Sequence, residues 1–525
     1  MKVVIPMSGM SRRFMDAGYT LPKYLLKIDG KTVIEHIIDL YPKDTEFVCI
    51  LNRKNHDETV IAGLLLRKLP EGSSIKVIDP HKLGPVHSVL QALNDIDDEE
   101  QVIVNYCDFS MRWDYDDFVS HVTDTDCDGS VISYTGFHPH MLGSDNYAFC
   151  RLREGSYQIE EIREKQPFTD DKMSEYASTG TYYFKKGKYV KHYFQQLIDE
   201  DVNINGEYYV SLVYNLMIRD GLYNTVYEVP NMLQWGTPLD VKMYQQWSDY
   251  YRAVVDIKSK LKLKGCVTAL PMAGAGSRFS KEGYGVPKPF LMVNGEYMVD
   301  QAVKCLPETD KTIFGALESH MSMMPLEEYP EVVWLKETPA EGQSITTLKI
   351  VENVDDDTSI LLSACDNGAL YDSDKFADLI EDQDNDIVVW SYRDNYTAHH
   401  NPNMYSWLEV DENDIIKKVN VKKFTGENPV DEYAIVGTMF FRDKTVYNKS
   451  LIRLFEMNEK VNGEFYVDSL LNAAIDLGYT VKNFEIDHYI CWGTPNDLKT
   501  YRYWQEFFHK VDWHPYDYGK DYLTN

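Results

Sequence analysis

The sequence predicts an α/β protein made of two tandem copies of a mostly parallel, doubly wound, Rossmann-like domain. Three observations carry that expectation. Short apolar runs such as Val3-Val4-Ile5, Phe47-Val48-Cys49-Ile50-Leu51 and Ile75-Lys76-Val77-Ile78 alternate with stretches of helical spacing over 32–40 and 58–69. A glycine-bearing segment follows the first apolar run of each half: Pro6-Met7-Ser8-Gly9-Met10-Ser11-Arg12-Arg13-Phe14 after Val3-Val4-Ile5, and Pro271-Met272-Ala273-Gly274-Ala275-Gly276-Ser277-Arg278-Phe279 after Cys266-Val267-Thr268-Ala269-Leu270. The second repeats the first at one constant offset, a period far too long for a solenoid, so the chain holds two copies of a domain.

Length and charge set the outer limits. A chain of 525 residues exceeds one hydrophobic core, and the expected division is a domain over 1–240, a helical linker over 241–263, a second domain over 264–510 and a tail over 511–525. From Pro238 the spacing reads as a helix through Leu263, with Tyr244, Trp247 and Tyr251 near one face. The net charge of −30 disfavours nucleic acid and anionic membrane surfaces as partners. The eight cysteines are scattered without a Cys-x-x-Cys pair and read as reduced core residues. Met1 to Pro6 is too short for a secretory leader, and no apolar run reaches the roughly 18 residues of a membrane span. The expectation is a soluble cytoplasmic protein.

The glycine-bearing turns expose backbone N–H groups, and Arg13, Lys23, Arg278 and Lys288 add full positive charge after them, which suits a triphosphate. A plain strand-to-helix connection is the alternative. Gly84-Pro85-Val86-His87-Ser88 and Glu341-Gly342-Gln343-Ser344 stand at the next helix starts, where anions are favoured. Asp108 and Asp366 each end a central apolar run, well placed to hold Mg²⁺ against phosphate oxygens, or else to cap the following turn. Neither continues as Asp-x-Asp, which counts against a glycosyltransferase. The loops over 136–143 and 395–402 differ most between the halves and are where different substrates would be read. In the first of them, His138 and His140 read as packing or substrate contact rather than a metal pair.

The Gly-x-Gly-x-Arg-Phe…Pro-Lys pattern, with Ser11 in place of the second glycine in the first half, resembles the signature of the sugar-phosphate nucleotidyltransferases, which have a GT-A-like fold. The resemblance covers both halves nearly end to end. It implies that Met7, Ser8, Gly9, Gly84 and Ser88, with Met272, Ala273, Gly274, Gly276, Gly342 and Ser344, line a nucleotide, and that Asp108 and Asp366 hold Mg²⁺. Glu161-Ile162-Arg163-Glu164-Lys165-Gln166-Pro167 resembles the family's Glu-Lys-Pro element, so Lys165 would meet the acceptor's phosphate beside Gly180 and Glu207. Lys422, Gly437 and Glu464 match in the second half, but Val421 and Phe424 replace the flanking Glu and Pro. Gln234 and Cys491 stand where many members carry a second metal-binding Asp.

The implied reaction transfers a nucleoside monophosphate from a nucleoside triphosphate to a phosphorylated metabolite, with Arg13 and Arg278 on the β,γ-phosphates and Lys23 and Lys288 on the α-phosphate. Three alternatives stand beside it: one half as a non-catalytic partner, a nucleotide-binding module without turnover, and a dinucleotide oxidoreductase. The last expects glycine where Phe14 and Phe279 stand. CTP, UTP and dTTP are open as donors, and a hexose phosphate, a polyol phosphate or an amino-alcohol phosphate as acceptor. The family likeness points to surface-polysaccharide precursor synthesis. A homo-oligomer is left open.

Overall fold

The apolar runs become strands of two nine-stranded sheets. The computed structural model describes residues 1–256, 260–394, 398–399 and 401–524, and the chain divides into two compact units, Met1–Gln245 and Gln246–Asn525.

In the first unit the main-sheet strands are β1 (Lys2–Met7), β2 (Phe47–Asn52), β3 (Ser74–Ile78), β4 (Val102–Asn105), β5 (Gly129–Tyr134), β6 (Ala148–Leu152), β7 (Ile159–Glu164), β8 (Tyr176–Phe184) and β9 (Asn224–Glu228). Their order is β7-β6-β8-β4-β1-β2-β3, with β5 also on β8 and β9 on β5. β1 runs parallel to β2 and β4, and β8 is antiparallel to β4, β5 and β6. Val3, Val4 and Ile5 are fully buried, as a strand covered on both faces requires. The helix Val210–Arg219 lays Val210, Val213, Tyr214 and Met217 on this core, each such buried side chain stabilising by about 1.5–3 kcal/mol.

The second unit repeats the plan with β10 (Lys262–Pro271), β11 (Glu308–Leu317), β12 (Val332–Leu335), β13 (Ser359–Leu362), β14 (Ile387–Tyr392), β15 (Trp407–Val410), β16 (Ile416–Asn420), β17 (Tyr433–Phe441) and β18 (Val481–Glu485). The order is β12-β11-β10-β13-β17-β14-β18, with β15 joining β17 to β16. Both units are therefore α/β, and their sheets are mostly parallel.

Some local expectations are corrected. The helix expected from Pro238 to Leu263 stops at Ala253 and gives way to a 3₁₀ turn over Val254–Asp256; residues 257–259 of that stretch lie outside the described residues. Leu263 belongs to β10, where it is buried between exposed Lys262 and Lys264, a period of two rather than 3.6. Gly265, at φ 68°, takes up the register shift against β11 that follows Leu263. The stretch over 58–69 is two helices, Arg53–Glu58 and Ile61–Lys68, parted by an extended Thr59. The aromatic tail packs within its unit: Tyr516 and Leu523 are buried, and the Tyr516 hydroxyl donates to Asp521 at 2.6 Å.

All eight cysteines are free, and all but Cys491 are buried. Among the described residues no helix is long and apolar enough to cross a membrane. His138 and His140 pack on Tyr134, with ring centroids 4.5 and 5.4 Å away. The matching loop of the second unit lies partly outside the described residues, at 395–397 and 400.

Burial pushes the His138 imidazole down to about 4 from 6.5, against a small opposing effect of the Gly136 carbonyl. The unfolded chain takes up a proton below about pH 6.5 that the folded unit resists. Stability is therefore lost as pH falls from 6.5 toward 4, by about 3 kcal/mol for this residue. Denaturant unfolding across that window is expected to show a shallower loss for His138→Gln than for the unaltered protein.

Candidate functional site

Each sheet carries an open cavity at the carboxyl ends of its central strands, of about 460 Å³ in the first unit and 530 Å³ in the second. This is where ligands collect in doubly wound sheets. The loop after β1 enters a one-turn helix, Arg12–Asp16, through Ser11 in the left-handed region at φ 50°. Gly276 takes the same conformation, φ 58°, before Ser277–Lys281. A side chain there costs on the order of 1 kcal/mol, and the Ser11 hydroxyl offsets this by accepting the Lys23 N–H at 3.1 Å. Phe14 and Phe279 anchor the two short helices, edge-on to Tyr19 and Tyr284.

Pro22 and Pro287, extended at φ −58° and −57°, start 3₁₀ turns that deliver Lys23 and Lys288 to the cavities. Each lysine meets the aspartate at the tip of the neighbouring strand: Lys23 Nζ to Asp108 Oδ2 and Lys288 Nζ to Asp366 Oδ2, both at 2.6 Å. Burial alone would depress the ammonium groups, but the facing carboxylates outweigh it and both lysines are shifted up. Burial likewise pushes Asp366 up, and Lys288 more than reverses this. Neither aspartate acts as a helix cap. Arg13 and Arg278 line the same cavities with Ser8, Gly9, Ala273 and Gly274.

The second turn is zipped to the Asn-Gly-Glu loop. Gly84, at φ 85°, approaches so closely that a Cβ would lie 2.7 Å from Tyr208 N, and the Gly342 Cβ would lie 3.0 Å from Phe465 O. Val86 N donates to Tyr208 O at 3.2 Å, and Phe465 N to Glu341 O at 2.7 Å. In the first unit the Ser8 and Ser88 hydroxyls are bonded at 2.6 Å, with His81 Nε2 3.0 Å from Ser88. The second unit instead has Thr338 donating to Ala273 O at 2.8 Å.

Lys165 and Lys422 also line the cavities, and both sit in the left-handed region, φ 58° and 52°. A non-glycine residue held there in both copies marks a built position. Lys165 Nζ donates to the Tyr209 hydroxyl at 2.6 Å, which donates on to Glu207; Lys422 Nζ donates to Met404 O at 2.7 Å. Gly180 and Gly437, at φ 100° and 101°, and Glu464 complete the two walls.

The MobA-like NTP transferase domain profile matches residues 3–166 and 269–453, more than half of the chain. The chain belongs to this family. It carries two tandem copies, and it is a nucleotidyltransferase. Similar solved structures include a nucleoside-diphosphate-sugar pyrophosphorylase from Vibrio cholerae, 23% identical, covering 46% of this chain and 99% of its own, at a TM-score of 0.40. An inositol-1-phosphate CTP transferase from T. maritima is 19% identical over 49% of this chain and 99% of its own, TM-score 0.37. A UDP-glucose pyrophosphorylase from Acinetobacter baumannii is 17% identical over 49% and 99%, TM-score 0.38. No curated protein matches.

Nearly all the residues expected at the nucleotidyltransferase sites line the two cavities. Met7 and Ser344 are fully buried beside them and their side chains do not line the walls. Two carboxylates went unread. Asp240 accepts from the Thr237 hydroxyl at 2.5 Å, and Asp497 from Thr494 at 2.6 Å and from the Cys491 thiol at 3.3 Å. Burial, with the Asp108 charge adding, pushes Asp240 up to about 6; burial and the Asp366 charge raise Asp497. In sequence Thr-Pro-x-Asp signals only a helix cap.

The donor chemistry fits a magnesium ion. Gly236 and Gly493 lie against Asp108 and Asp366, where a Cβ would come within 3.2 and 3.0 Å of the Oδ2 atoms and crowd that face. Among the described residues no group of three or more His, Cys, Asp or Glu side chains forms a ready cation cage.

Gly84→Ala is expected to destabilise the first unit by roughly 1–3 kcal/mol, because the new Cβ meets backbone at a left-handed φ. Gly9→Ala meets nothing within 4 Å and is expected to unfold like the unaltered protein. Thermal unfolding of the two variants checks the pair.

Proposed function

We propose that both units move a nucleoside monophosphate from a nucleoside triphosphate to a phosphorylated metabolite, a sugar, polyol or amino-alcohol phosphate, and release pyrophosphate. The observation that carries this reading is the same 2.6 Å lysine–aspartate pair in both cavities, with a left-handed lysine lining each. A copy kept only as a scaffold has no need of either.

Arg13 and Arg278, with the loop N–H groups, hold the β,γ-phosphates. Lys23 and Lys288 swing from their aspartates to the α-phosphate and neutralise the charge that develops there. Lys165 and Lys422 orient the acceptor's phosphate, one oxygen of which attacks the α-phosphorus as the bond to the bridging oxygen breaks and pyrophosphate leaves. Asp108 and Asp366 would hold Mg²⁺, which supplies charge neutralisation on the phosphate oxygens. Gly84 and Ser88, and Gly342 in the second unit, shape the seat of base and sugar. CTP, UTP and dTTP are the candidate donors, and by family likeness the setting is cytoplasmic synthesis of surface-polysaccharide precursors.

Pyrophosphate release is measured with Mg²⁺, each nucleoside triphosphate and a panel of phosphorylated metabolites. Lys23→Ala and Lys288→Ala are each expected to lose about 100-fold or more in rate, for different acceptors. If one substitution alone matters, the other unit is a regulator or scaffold. If the unaltered protein binds nucleotide and releases nothing, the reading fails.

A further inference from the structure

The two units differ sharply beside their acceptor lysines. Glu164 precedes Lys165, whereas Val421 precedes Lys422. On sequence alone the second unit has lost a carboxylate.

In space the carboxylate is present but comes from another wall. The Glu164 carboxylate accepts from the Ser211 hydroxyl at 2.6 Å, and Ser211 follows Tyr209-Val210 at the start of the helix Val210–Arg219. The residue following Tyr466-Val467 is Asp468, and its carboxylate accepts from the Ser406 hydroxyl at 2.5 Å. Ser406 stands just before β15, where strand register sets Ala148 in the first unit. The serine–carboxylate pair is kept while its two members have moved to different elements. Glu164 lines the first cavity, and both Asp468 and Ser406 line the second.

The ordinary explanation for Asp468 does not hold. It occupies the N-cap of the helix Ser469–Asp476, where an aspartate usually accepts a backbone N–H, yet its side chain makes no capping bond. It bonds Ser406 instead, whose hydroxyl also lies 3.4 Å from the Lys422 N–H. The pair is thus tied to the backbone that presents the acceptor lysine. One serine leaves most of a carboxylate's lone pairs unused, and Asp468 lines the same cavity as Lys422.

We infer that Asp468 is a specificity-determining residue of the second unit, standing in for Glu164 and accepting from a hydroxyl or ammonium donor on the acceptor. This rests on the nucleotidyl transfer proposed above. Because the two carboxylates enter from different walls, and aspartate is one methylene shorter, the units take acceptors of different shape.

The test uses full-length protein carrying Lys23→Ala, so that turnover reports the second unit. The probes are glucose 1-phosphate, ribitol 5-phosphate and phosphoethanolamine, which carry donors, and phosphocholine, whose body carries none, each with CTP and with UTP. Asp468→Asn and Asp468→Ala are expected to raise the acceptor KM about 10-fold or more for a donor-bearing probe, with the nucleotide KM and the melting temperature unchanged. Val421→Glu with Asp468→Ser is expected to recover acceptor binding and move the preference toward that of the first unit, read in Lys288→Ala protein. An acceptor KM that stays within about two-fold while the second unit still turns over overturns the inference, as does an equal rise in the nucleotide KM or a preference for phosphocholine. Absence of pyrophosphate release from Lys23→Ala protein with every probe, while Lys288→Ala protein is active, overturns it differently, by showing the second unit to be no transferase.

Discussion

Everything at the two sites is arranged around an ion pair that spans most of a sheet in sequence and 2.6 Å in space. Lys23 and Asp108 stand 85 residues apart, and Lys288 and Asp366 stand 78 apart. The pair clamps the turn after the first strand to the tip of the neighbouring strand, and so fixes the floor of the cavity. Its contribution to stability is modest, because desolvation of two charges offsets much of their attraction. Its importance is chemical. Each partner satisfies the other without ligand, so a triphosphate with its cation meets a site of low net charge within a strongly acidic chain, and both partners are already in place for the exchange.

The second constraint joins the two ends of each cavity. The glycine turn that would seat the base is hydrogen-bonded, backbone to backbone, to the loop carrying Glu207 or Glu464. At Gly84 and Gly342 there is no room for a side chain. The turn and the Asn-Gly-Glu loop of each unit therefore form one continuous piece of wall.

What could be read from the sequence was what local chemistry dictates. Glycine turns after apolar runs, the Pro-Lys turns and carboxylates at strand tips each follow from a few neighbouring residues, and all of them reached the cavities. The strand at Leu263 was hidden because a short alternation after a long helix is outweighed in any window that spans both. Asp240 and Asp497 stand in Thr-Pro-x-Asp, a pattern that signals only a helix cap, and they do accept from Thr237 and Thr494. Their nearness to Asp108 and Asp366 is a property of the folded sheet alone. Asp468 was invisible for the same reason, since its partner Ser406 is 62 residues away.

A tandem repeat invites exchange of sequence between its copies, and the displaced serine–carboxylate pair limits how far that can go. A crossover between the Glu164 and Ser211 positions would join Glu164 to Asp468, setting two acids against each other, or Val421 to Ser211, leaving none. Either hybrid disables the wall that the unbroken copies preserve. This serine–carboxylate wall can thus be exchanged between the halves only as a whole block.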